Sequence, residues 1–124
     1  MSQDIIADAL NKMINAKKAG KSELEIARHS KLLLSIMALA KLKGYVKSYR
    51  VENSVLKVEI GKLNKCQAIK PRFIVSVSGI DKYVSRYLPA KDIGMIIIST
   101  NQGLMAHQTA YEKNLGGCLL AYFY

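Results

Sequence analysis

Gly61-Lys62-Leu63-Asn64-Lys65-Cys66-Gln67-Ala68-Ile69-Lys70-Pro71 is the stretch on which the fold turns. It is polar and basic between two halves that are patterned and apolar, and Pro71 holds its predecessor in extended geometry. In a chain of 124 residues such a change of character marks a boundary between two small lobes, 1–64 and 65–124. Lobes of about 60 residues are marginal alone, so the two are expected to pack and move as one body. The class expected is α+β: N-terminal helices on a three-stranded sheet, then a mainly β C-terminal lobe with a short helix.

Working back from Gly61, Val55–Ile60 and Tyr45–Val51 are two β-prone runs around Glu52-Asn53-Ser54, the pattern of a hairpin. Leu56, Val58 and Ile60 would face inward, with Lys57 and Glu59 outward. Before the hairpin, Leu32, Leu33, Ile36, Met37 and Ala40 repeat at helical spacing. Ser30 is placed to cap that helix, with Lys41 and Lys43 in its last turn and Gly44 as its stop. Glu23–Arg28 alternates as a short strand. Asp4 to Lys18 reads as the first helix, with Ile6, Ala9, Leu10, Met13 and Ile14 on its buried stripe. Ser2 would cap it, and Lys17, Lys18, Gly20 and Lys21 would close it.

Working forward from Pro71, Phe73–Val77 alternates as a strand and Ser78-Gly79 turns the chain. Lys82–Leu88 is expected to be another strand, ended by Pro89. Met95–Thr100 is nearly continuous apolar sequence, as in a strand covered on both faces. Asn101-Gln102-Gly103 reads as a loop, His107–Asn114 as a short helix closed by Gly116-Gly117, and Cys118–Tyr124 as a final aromatic strand.

Composition narrows the function. The chain carries nineteen Lys and Arg against nine Asp and Glu, a net +10, the balance expected of a polyanion binder. No block of five like charges occurs, so the positive field must be assembled by folding. The longest apolar stretch, Leu32–Ala40, is interrupted by Ser35 and falls far short of the ~20 residues that span a bilayer. The opening Met-Ser-Gln-Asp does not resemble a secretory signal, which points to a cytoplasmic protein. Two cysteines, Cys66 and Cys118, and two histidines, His29 and His107, offer no local metal-ligand spacing. A Cys66–Cys118 disulfide stays open, with reduced, buried thiols favoured in such a compartment. No phosphate loop and no hydrolase or metalloprotease motif is present; Ser99, His107 and Asp92 form a triad only on paper. No catalytic residue, cofactor, metal, membrane or small-molecule substrate is expected.

The segment with chemistry is Ser99-Thr100-Asn101-Gln102-Gly103-Leu104-Met105. A buried strand there ends in consecutive hydroxyls and amides and a glycine. Uncharged groups that both donate and accept can meet 2′-hydroxyls, sugar oxygens and base edges in the wide, shallow minor groove of A-form RNA. Lys and Arg on the same body would bind phosphates and supply most of the affinity. Equally, Ser99 or Thr100 can satisfy turn backbone, as Ser, Thr and Asn often do.

At this segment the chain becomes recognisable. It resembles the small-subunit ribosomal protein family number eight, in its archaeal and eukaryotic form. The resemblance is carried by Asp4-Ile5-Ile6-Ala7-Asp8-Ala9-Leu10 with Asn15-Ala16, by Ser30-Lys31, and by Gly44-Tyr45-Val46. Leu63-Asn64-Lys65-Cys66, Pro71-Arg72-Phe73, Leu88-Pro89-Ala90, Ser99–Met105 and Gly116-Gly117 continue it in order. The resemblance implies a non-enzymatic protein that binds the central domain of small-subunit rRNA directly, early in assembly, beside neighbouring ribosomal proteins. It implies that Ser99, Thr100 and Asn101 enter the minor groove of a distorted helix, with Gln102 and Gly103 beside them. Asn101 stands where the family usually has serine, which keeps a donor and an acceptor on a larger side chain. Cys118 stands where a glutamate often follows the glycine pair.

The remaining residues expected at RNA are Tyr83, Arg72, Lys31, Ser30, Asp4, Asn15, Gly116 and Gly117. Six of them have a plainer role: Ser30 as helix cap, Asp4 and Asn15 as solvated helix residues, Arg72 at the lobe boundary, Gly116 and Gly117 for positive φ or close backbone approach. Neighbouring proteins are expected to cover apolar surface around Tyr122-Phe123-Tyr124. Rival functions are a translational repressor that binds an rRNA-like messenger segment, and a basic protein-interaction module.

Overall fold

Two antiparallel sheets, each with its own helices, make up the chain, which divides after Gln67 into units 1–67 and 68–124. The computed structural model describes residues 5–27, 29–69, 74–90 and 93–124. The expected Ser2 cap and the site residues Asp4 and Arg72, together with Pro71, Phe73 and Asp92, lie outside the described residues.

In the first unit α1 (Ile5–Lys18), β1 (Glu23–Ile26), α2 (Lys31–Leu42), β2 (Val46–Glu52) and β3 (Val55–Ile60) follow in order. The sheet order is β1-β3-β2. Ile6, Ala9, Leu10 and Met13 of α1 are buried, as are Leu33, Ile36, Met37 and Ala40 of α2. Ser30 caps α2 as its sequence predicts: its backbone is extended and its Oγ accepts from the Leu33 amide at 3.2 Å. Gly44, at φ 88°, ends the helix. The hairpin between β2 and β3 turns through Asn53 and Ser54, both at positive φ, which is the backbone of a two-residue turn matched to strand twist.

Cross-strand register sorts the sheet's two faces. Leu24 opposes Val58, which opposes Tyr49, and Ile26 opposes Leu56, which opposes Val51. On the other face Glu23, Glu59 and Ser48 share one row and Glu25, Lys57 and Arg50 the next. The first face takes the helices, α1 beside β1 and α2 beside β2. The second stays charged.

The second sheet has five strands in the order β4-β8-β6-β7, with β5 also on β8, and lies in the second unit except for Cys66 and Gln67 of β4, which precede the division. Its strands are β4 (Cys66–Ala68), β5 (Ile74–Val75), β6 (Met95–Thr100), β7 (Gly103–Ala106) and β8 (Gly117–Phe123). Met95, Ile96, Ile97 and Ile98 of β6 are all fully buried, as a strand covered on both faces must be.

Several expectations for this half are corrected. Lys82–Leu88 is not a strand: α3 (Ile80–Tyr87) runs there, because Ile80, Val84 and Leu88 recur at helical spacing and are all buried. With α4 (His107–Glu112) the unit therefore has two helices rather than one. Of the strand expected over 73–77, the described residues show Ile74–Val75, followed by a short 3-10 turn, Val77–Gly79. The polar boundary segment contributes β4, and the loop expected at 101–103 narrows to Asn101 and Gln102 because Gly103 already pairs with Thr100. Tyr122 packs in the core of its unit, Phe123 is buried and Tyr124 is half-buried against that core, so this stretch is not an exposed apolar surface.

Candidate nucleic-acid interface

Strands β6 and β7 form a tight hairpin, Ser99 opposite Leu104 and Thr100 opposite Gly103. Thr100 locks its tip: Oγ1 accepts from the Gln102 amide at 3.1 Å and donates to the Gly103 carbonyl at 2.9 Å. Gly103 takes the positive φ (109°) that closes the turn, a backbone state β-carbons disfavour. The Thr100 hydroxyl thus satisfies turn backbone. Ser99, Asn101 and Gln102 differ. None of their side chains makes a hydrogen bond among the described residues, Asn101 and Gln102 are exposed, and Ser99 is half-buried. Asn101 and Gln102 present their amides at the turn, and Ser99 follows four buried residues of β6 with its side chain half-exposed.

Gly116 and Gly117 stand behind this tip. Neither has a positive φ; what they need is space. A β-carbon on Gly117 would strike the Ser99 carbonyl oxygen, and one on Gly116 the Val75 carbonyl oxygen. Gly117 lets β8 lie against Ser99 behind the hairpin, and Gly116 lets the chain lie against Val75 and Ser76.

Tyr83 lies on α3 and opens a column of four rings. Its centroid is 6.5 Å from Tyr87, Tyr87 is 5.1 Å from Tyr122, and Tyr122 is 6.2 Å from Tyr124, all near-parallel. The Lys82 ammonium lies 5.9 Å from the Tyr83 centroid and the Arg86 guanidinium 5.4 Å from that of Tyr87. Sequence reasoning picked out Tyr83 alone; the helical spacing of Tyr83 and Tyr87 was the missed signal. Tyr122 pairs with Ile96, near the opposite end of β6 from Ser99, so this column and the hairpin tip are separate features.

In the first unit Lys31 is exposed in the first turn of α2, while the Ser30 hydroxyl is occupied as the cap. Asn15 is exposed near the C-terminal end of α1, whereas Ser30 and Lys31 sit at the N-terminal end of α2. The structure does not gather these three into one site.

Charge is unevenly distributed. The outward face of the first sheet holds Glu23, Glu25, Glu52 and Glu59, four of the chain's nine acids, with Lys47, Arg50 and Lys57 among them. Lys47 meets Glu59 at 3.4 Å, Arg50 meets Glu52 at 2.6 Å, and Lys57 meets Glu52 at 3.1 Å. The Lys57 hydrogen bond, then the charges of Arg50 and Lys57, hold the Glu52 carboxyl below the ordinary carboxylate range. This face is nearly neutral, which leaves ten bases and two acids for the rest of residues 1–67.

Nothing points to catalysis or metal binding among the described residues. His107 uses Nδ1 to accept from the Ile96 amide at 3.0 Å, inside the core, and no three His, Cys, Asp or Glu side chains are grouped to hold a metal. Both thiols are free, Cys66 buried and Cys118 half-buried. No helix is long and apolar enough to cross a membrane.

Comparison with known proteins decides the family. The family model for ribosomal protein S8 matches residues 4–124. The small ribosomal subunit protein uS8 of Archaeoglobus fulgidus is 41% identical, and that of Nanoarchaeum equitans 37%, each over the whole of both chains. The uS8A protein of Schizosaccharomyces pombe is 33% identical over 98% of each chain. The chain belongs to the ribosomal protein S8 family. As an S8 protein it is a structural ribosomal protein and not an enzyme. Ser99, Tyr83, Ser30 and Gly116-Gly117 are thus parts of an S8 body, each with a defined place in this fold.

Proposed function

We propose that this chain is a component of the small ribosomal subunit that binds the central domain of its rRNA directly and stabilises one conformation of it during assembly. The hairpin tip enters a minor groove, where Ser99, Asn101 and Gln102 meet ribose and base edges. Thr100 and Gly103 hold the tip, and Gly116 and Gly117 hold the strand behind it. Lys31, at the N-terminus of α2, and the cations beside Tyr83 meet phosphates. Ser30 fixes the start of that helix. The ion-paired, nearly neutral outer face of the first sheet is the side left for neighbouring ribosomal proteins.

The observation that carries this reading is the pairing of a core-anchored hairpin with three polar side chains, two exposed and one half-buried, that no group among the described residues satisfies. Such groups are poor core material and poor long-range attractors, but they suit close contact with a surface lined by hydroxyls. The protein needs no chemistry beyond binding: affinity for one rRNA conformer shifts the population toward it, and later partners meet a formed site.

Two substitutions separate the tip's contact groups from its scaffold. The double change Ser99→Ala with Asn101→Ala is expected to cost roughly 1–3 kcal/mol of binding to a central-domain rRNA fragment. Its thermal midpoint should stay with that of the parent, since neither side chain bonds to protein. Filter binding beside a circular-dichroism melt checks both; parental affinity in a folded double variant would overturn the groove assignment. Thr100→Val is expected to behave differently. It strands the Gln102 amide and the Gly103 carbonyl at the turn, costing about 1–2 kcal/mol of stability along with RNA affinity. A Thr100→Val protein that loses affinity but melts like the parent would show that this hydroxyl reads RNA instead of holding the turn.

A further inference from the structure

We infer that the first unit carries a second RNA-backbone site, a lysine pole built from Lys17, Lys18, Lys21, Lys41, Lys43 and Lys62, at the end away from Ser30 and Lys31. The inference rests on the rRNA-binding reading above and adds to it a distinct set of phosphates, taken from a second segment of the same RNA.

The pole is made by topology. Helix α1 runs to one end of the unit and its turn returns the chain into β1; α2 runs to the same end and returns into β2. Backbone hydrogen bonds tie those turns to the end of β3. The Ile60 amide donates to Ser22 at 2.7 Å, Gly61 to Tyr45 at 3.0 Å, and Lys62 to Gly44 at 2.9 Å. Six lysines remote in sequence therefore share three adjoining turns. Twelve residues of α2 place this end about 18 Å from its N-terminal end, beyond the reach of one cluster of phosphates.

The lysines are not there to pair with protein carboxylates. All six are exposed, and none lies within 4.0 Å of an acid among the described residues, although the adjacent outer sheet face has four. There Lys47, Arg50 and Lys57 all find partners. Helix dipoles favour Lys17, Lys18 and Lys41 in the last turns of α1 and α2, but Lys21 and Lys62 lie outside both helices. Gathering six like charges raises their mutual repulsion, which a polyanion relieves. Leu42 lies among them at 79% exposure, the side chain of a helix end with no core to enter and a surface to cover. Lysines act as point charges on flexible stems, which suits sequence-independent contact with phosphate backbone. The pole would add contact with a second rRNA segment to the contact made by the hairpin.

The test compares the full-length chain with a Lys21→Ala, Lys43→Ala, Lys62→Ala variant, one change per turn, on two RNAs. One is intact small-subunit rRNA and the other a short central-domain fragment bound through the hairpin tip. On intact rRNA the slope of log K against log salt should shrink by about 2–3, and affinity should fall roughly 10- to 100-fold. On the fragment, affinity should stay within about twofold, and the Lys→Arg triple variant should match the parent on both. Equal behaviour of parent and alanine variant on intact rRNA overturns the inference, and so does equal weakening on both RNAs, which would mark a general field effect. Loss of binding to polyglutamate without loss on rRNA also overturns it, in favour of an acidic protein partner. Failure of the groove reading registers elsewhere, in the Ser99→Ala, Asn101→Ala variant on the short fragment.

Discussion

Gly117→Val is expected to remove about 3 kcal/mol of the stability of residues 68–124 and to weaken binding through the hairpin tip. A β-carbon at this position meets the carbonyl of Ser99 at less than contact distance and the Cγ2 of Ile98 at 3.0 Å. The Ser99 atoms are backbone of a strand paired on both sides, β7 and β8, so they cannot rotate away. Relief requires β8 to move off β6, which opens the ladder where Ile98 pairs with Leu119 and Ser99 with Cys118. Overpacking of this kind costs about 3 kcal/mol or more. A unit of this size holds about 3–9 kcal/mol in all, so valine takes a large share of it. The measurement is a urea titration followed by far-UV circular dichroism, with RNA binding on the same sample. A Gly117→Val protein with the parent's midpoint would show that β8 shifts without loss, and that close approach is not why this residue is glycine.

How much of this was legible in the sequence depends on where the signal resides. The first unit reads almost residue for residue because its cues are local: the Ser30 cap, the Gly44 stop, the alternation of β3 and the Asn53-Ser54 turn all act within a few positions. Segment 82–88 misleads because tyrosines and a valine are β-prone in a short window. The helical period shows only when Ile80 is counted with Val84 and Leu88. Strand β4 has no local signature, since its three residues are ordered by the neighbour they pair with. At the site, the residue types at 99–102 were readable but their division of labour was not. Whether a threonine hydroxyl holds a turn or faces outward depends on a hydrogen-bond geometry that composition does not encode. The lysine pole is harder still, because its members are dispersed over 46 positions from Lys17 to Lys62 and only the topology brings them together.

Alkaline solution is expected to destabilise the first unit steeply, through one thiol. Cys66 is 3% exposed, and its Sγ donates to the Leu10 carbonyl at 3.5 Å, with no cation in hydrogen-bonding or ion-pairing contact among the described residues. Burial pushes the thiol up from its ordinary 9.0 to about 12. Between those values the folded chain keeps a proton that the unfolded chain has released. The stabilisation is therefore fully present below pH 9 and is lost as pH rises through about 12. One proton sets a limiting slope of about 1.4 kcal/mol per pH unit, or on the order of 4 kcal/mol across the window. Burial raises the Tyr45 phenol in the same sense, so the same unit has a second group acting in the same direction. Urea midpoints from pH 7 to 11.5 should fall sharply above pH 9 for the parent and less for Cys66→Ala, which loses the titrating group while giving up some packing. Parallel curves for the two proteins would move the alkaline transition to Tyr45 and would mean that the Cys66 thiolate finds solvent without unfolding.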